Sequence, residues 1–70
     1  MLSPIKEDRQ KKRMSQQELA TLTDLSRPAI SMIERGVITP SVKSLNKIGD
    51  VLNASIKRKD EYSKFFDNED

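Results

Sequence analysis

Four serines, Ser3, Ser15, Ser26 and Ser41, each stand at what reads as a helix start, and the stretches between them allow only about three turns apiece. An N-cap hydroxyl accepts a backbone N–H that the first helical turn cannot pair. Helices this short do not persist alone in water, so they must share one core. Ser3 precedes Pro4, whose missing N–H costs nothing in a first turn, and a first helix is expected from Pro4 to about Arg13. Its apolar content is poor, with Leu2 and Ile5 at one end and Met14 beyond the other.

Ser15-Gln16-Gln17-Glu18 has the form of a capping box, with the Ser15 hydroxyl and the Glu18 side chain each serving the other's backbone N–H. The second helix should run to about Leu22 and turn Leu19 and Leu22 inward beside Ala20, before Asp24 marks a tight turn. Ser26 caps a third helix through the Ala29 N–H, with Pro28 harmless in its first turn and Ile30 and Ile33 facing the core. Gly36 reads as a left-handed stop, and Val37-Ile38-Thr39-Pro40 as a loop. After Ser41, Val42, Leu45, Ile48 and Leu52 recur as one buried face of a fourth helix ending at Asn53. Gly49 inside it should cost roughly 1 kcal/mol against Ala, which points to close packing at that position.

Beyond Asn53 the pattern fades. Residues 55–59 fit either a fifth helix forming a dimer seam or a strand pairing with its two-fold mate. Tyr62, Phe65 and Phe66, the only aromatics, are expected to pack back on the core or into a dimer contact. The fold expected is all-α, a compact bundle of four to five short helices around a central helix-turn-helix. Residues 1–56 form the helix-turn-helix domain in this reading, and 57–70 a C-terminal extension, dimerisation element or acidic tail.

Seventy residues support one domain. With no cysteine and no histidine, disulfides, thiolate nucleophiles, the usual zinc ligands and the commonest general base all fall away. Scattered carboxylates and the lack of a Gly-rich phosphate loop argue against an enzyme, and no cofactor, metal or small-molecule substrate is expected. The start Met1-Leu2-Ser3-Pro4 carries no apolar run of signal-peptide length, no stretch is apolar enough for a membrane, and a cytoplasmic, reducing setting is expected. Residues 1–59 carry 12 Lys+Arg against 6 Asp+Glu, and residues 60–70 carry 1 against 5. A basic body of this kind attracts a polyanion, though a solvated basic face gives the same count.

Two capped helices joined by a short turn let one helix cross a phosphate backbone while its successor enters the major groove of double-stranded DNA. On this reading the residues that touch DNA are Gln16, Gln17, Ser26, Arg27, Pro28, Ala29, Ser31, Met32, Arg35 and Lys43. Arg27 can donate two parallel hydrogen bonds to a guanine, or else clamp a phosphate. Pro28 and Met32 offer apolar contact to a thymine methyl, and the Gln16 amide can reach a phosphate. Lys43 lies in a first helical turn, where the dipole disfavours a cation and a nearby phosphate would explain it.

Ile5 and Arg9, the string Ser15-Gln16-Gln17-Glu18-Leu19-Ala20, Ser26-Arg27, Ile30, Ile33-Glu34-Arg35-Gly36, Pro40-Ser41, Leu45, Ile48 and Leu52 together resemble the lambda-repressor-like, or Xre/Cro-type, helix-turn-helix family. The resemblance spans about Ile5 to Ile56. It implies five short helices, a two-fold homodimer on operator DNA, Gln16 on phosphate, and Arg27, Pro28 and Met32 at base-reading positions. It also implies a structural ion pair between Arg9 and Glu34. Asp24 and Arg13 stand where the family usually has Gly, Asp8 where it has Leu, and Gly49 where it has Ala. Asp tolerates a left-handed backbone and Arg fits it less well, so the first corner is expected to depart from the family pattern. The function expected is a sequence-specific transcriptional regulator, a repressor on a palindromic operator. The alternatives are a HipB-like antitoxin that also binds a toxin partner, and a protein-interaction module with a vestigial DNA face.

Overall fold

All four expected serines cap helices in the computed structural model, which describes residues 3–67. The Ser3 hydroxyl accepts the Lys6 N–H at 3.3 Å, Ser15 that of Glu18 at 3.0 Å, Ser26 that of Ala29 at 3.1 Å, and Ser41 that of Ser44 at 3.1 Å. The capping box closes as the Glu18 carboxylate accepts the Ser15 N–H at 2.8 Å. The helices are α1 (Pro4–Lys11), α2 (Gln16–Thr23), α3 (Arg27–Glu34), α4 (Val42–Val51) and α5 (Ile56–Phe65), and there is no strand among the described residues. The segment 55–59 is therefore helical: Ser55 is a fifth cap, accepting the Arg58 N–H at 3.0 Å. Leu2 and residues 68–70 of the acidic tail lie outside the described residues. No described helix is long and apolar enough to cross a membrane.

Arg13, Asp24 and Asn53 turn the chain with φ of 54°, 63° and 58°, and Gly36 with 74°. The first corner thus takes the left-handed conformation despite Arg13, contrary to expectation. It is braced by the Arg9 guanidinium, whose Nη1 donates to the Met14 carbonyl at 2.8 Å. The same turn ends α1 at Lys11, two residues earlier than the sequence suggests.

Ile5, Leu19, Ala20, Ile30, Ile33, Ile48, Leu52 and Tyr62 form the core. Two expected members are absent from it. Leu22 is 53 % exposed, because Leu25 beyond the turn packs against the core in its place and Thr23 is buried with its hydroxyl donating to the Leu19 carbonyl at 2.7 Å. Val42 is 79 % exposed, since it begins α4 at the helix end and Leu45 is the first residue of that stripe to pack against the core. Gly49 is closely packed as expected, but by a side chain: an added Cβ would sit 2.8 Å from carbons of the Lys59 stem.

The helix α5 packs on α1 and α4 and sets Tyr62 in the core at 0 % exposure. The boundary drawn between residues 56 and 57 falls in its first turn. Asp8, the odd acid in α1, accepts the Arg58 Nε and Nη2 at 2.8 and 3.0 Å and the Tyr62 hydroxyl. Arg58 also donates to Glu7 at 3.1 Å and Glu61 at 2.7 Å, and lies 5.8 Å from the Tyr62 ring centre. Its hydrogen bonds hold the Asp8 carboxyl below the ordinary range, against desolvation, which acts the other way. A depressed folded-state pKa stabilises the protein above the ordinary Asp range and is lost as pH falls through about 4 and below. Asp8→Asn should therefore lower Tm at neutral pH and converge on wild type in acid. A constant Tm gap from pH 7 down to pH 3 would contradict this.

Candidate nucleic-acid interface

The local sequence builds α3 with two unlike sides. Ile30, Ile33 and Glu34 are buried, whereas Arg27 and Pro28 are exposed and Ser31 and Met32 are half-buried one turn on. The 3.6-residue period separates these sets, and Gly36 then ends the run, its N–H donating to the Ile33 carbonyl at 3.0 Å. Ser26 is exposed at the cap, and Ala29 is half-buried behind Pro28. The turn from Asp24 to Ser26 joins α2 to α3, closed by the Leu25 N–H donating to the Ala20 carbonyl at 2.9 Å.

Glu34, the only acid in α3, is removed from the surface. Its carboxylate accepts the Arg9 Nε at 2.6 Å and Nη2 at 3.1 Å, a two-pronged pair with both side chains almost fully buried. The same Oε1 accepts the Gln16 Nε2 at 3.0 Å, so one hydrogen of that amide is already taken. Gln17 is exposed and donates to the Thr21 hydroxyl at 3.2 Å. Arg35 and Lys43 are exposed, and among the described residues neither they nor Arg27 form an ion pair. The single carboxylate of α3 is thus neutralised, while Arg27 at its start, Arg35 at its end and Lys43 of α4 are left without ion pairs among those residues.

Sequence reasoning missed one neighbour of this surface. Lys6 of α1 lines a hollow of about 440 Å³ together with Gln16, Ser31, Glu34 and Arg35. A lysine at the third position of α1 carries no sign of which later helix it will face. The Gln16–Glu34 bond was equally hidden, since it joins positions 18 apart. Among the described residues no cluster of metal-ligating side chains occurs.

The helix-turn-helix family model matches residues 5–58, more than half of the chain. An uncharacterised HTH-type transcriptional regulator of Archaeoglobus fulgidus is 42 % identical over 57 residues, which cover 81 % of this chain and 80 % of that protein. With the serine-capped α2 and α3, the left-handed turn between them and the braced Glu34 in place, the chain belongs to the lambda-repressor-like helix-turn-helix family.

Proposed function

We propose that this protein is a sequence-specific DNA-binding transcriptional regulator that lays α3 in the major groove of an inverted-repeat operator as a homodimer. The observation that carries this reading is the outward side of α3: Arg27, Pro28, Ser31 and Met32 face away from the core with no free carboxylate among them. Arg27 reads a base edge, Pro28 and Met32 meet a thymine methyl, and Gln16, Gln17, Arg35 and Lys43 hold phosphates. Ser26 and Ala29 set the helix end against the groove. Ile56, 89 % exposed, and Val42 leave apolar surface for a two-fold mate to cover. Repression follows from occupancy of a promoter alone and needs no further domain.

Selection of bound sites from random duplex DNA tests the proposal. The expected product is an inverted repeat with half-sites about one helical turn apart. A single half-site motif would remove the dimer, and no enrichment even at low salt would overturn DNA binding itself. On the selected site, Arg27→Ala should lose about 10- to 100-fold in affinity and little on random DNA. Lys43→Ala should weaken both and reduce the salt slope by about 0.9. Equal losses for Arg27→Ala on both DNAs would make it a phosphate contact.

A further inference from the structure

The Gln16 amide does not swing freely at the surface, as a solvated glutamine would. Its Nε2 donates to Glu34 Oε1, an oxygen already held by Arg9 Nη2, while Arg9 Nε holds Oε2. An amide facing a carboxylate has one orientation available, because turning it over would set its own oxygen against that charge. Its second N–H remains for another acceptor. Gln16 is also the first residue of α2, where backbone N–H groups of the opening turn lack helical partners. The hollow it lines is shared with Lys6 and Arg35, two exposed cations, and the negative charge of Glu34 is balanced by Arg9.

We infer that Glu34 is a positioning residue for DNA binding: it holds the Gln16 amide donor-outward, so that a backbone phosphate in this hollow takes the second N–H together with the charges of Lys6 and Arg35. The inference rests on the DNA-binding reading above. It assigns to Glu34 a role beyond bracing the fold and adds Lys6 to the phosphate contacts.

The test uses the full chain on its selected duplex. Gln16→Ala should weaken binding about tenfold or more, the value of one hydrogen bond to a charged acceptor, without changing the salt slope, because a neutral amide displaces no counterion. Lys6→Ala should lower that slope by about 0.9. The decisive variant is Arg9→Met with Glu34→Leu, which removes acceptor and partner together, leaves no unpaired buried charge and preserves net charge. It should lose as much affinity as Gln16→Ala, and adding Gln16→Ala to it should cost nothing more. Should that pair fail to fold, Arg9→Leu with Glu34→Leu, which also removes both charges and the acceptor, serves the same comparison. Wild-type affinity in these variants, or losses that simply add, would overturn the positioning role. An unaffected Gln16→Ala in a protein that binds its site would overturn it too, while leaving DNA binding intact. Failure of the wild type to bind any duplex would instead overturn the reading on which it rests.

Discussion

Tyr62→Ala should remove most of the protein's stability. The ring is fully buried between α5 and the rest of the core, and emptying such a site costs about 3–5 kcal/mol. A domain of this size holds only roughly 4–10 kcal/mol in total. Urea unfolding followed by circular dichroism should therefore show a midpoint shifted far toward water or no cooperative transition. Tyr62→Phe keeps the ring and loses only the bond to the Asp8 carboxylate, and should cost about 1.5–3 kcal/mol, less than Tyr62→Ala. If Tyr62→Ala fell within 1 kcal/mol of wild type, α5 would be an appendage and not part of the core.

Arg9→Ala is the second large effect, expected on the order of 3 kcal/mol. It leaves the Glu34 carboxylate buried with one donor, Gln16, and leaves the Met14 carbonyl without its side-chain partner at the first corner. The cost comes from the orphaned charge more than from the lost attraction. Arg9→Met combined with Glu34→Leu should accordingly be far milder than Arg9→Ala alone. Thermal melts of the three proteins make the comparison, and an unchanged Tm for Arg9→Ala would mean the pair contributes nothing.

Much of the fold was legible because helix starts are local chemistry. A serine three residues before the N–H it accepts is visible in any window of the chain, and four such caps with Gly36 and Asp24 mark α1 to α4. Residues 55–59 were ambiguous because α5 shows too few apolar positions to define a period: Ile56 is exposed and most of the helix is charged. The misplacement of Leu22 and Val42 has a related cause. Apolar spacing says which side of a helix faces inward, but not where the neighbouring helix stops covering it.

For the candidate interface, the outward positions of α3 followed from its period, since burying Ile30 and Ile33 sends Arg27, Pro28 and, half-buried, Ser31 and Met32 the other way. Asp8 stood out as a departure without an explanation until Arg58 and Tyr62, some 50 residues on, were placed beside it. The serine caps, short-range and self-contained, were determined by the sequence alone, and so were the number and polarity of the helices they begin. The tertiary structure decided what crosses between helices: the Arg58 and Tyr62 seat on Asp8, the Lys59 stem over Gly49, and the Glu34 carboxylate shared by Arg9 and Gln16. A cap is set by neighbours three residues away, whereas a contact between distant helices exists only once the core has fixed where each one lies.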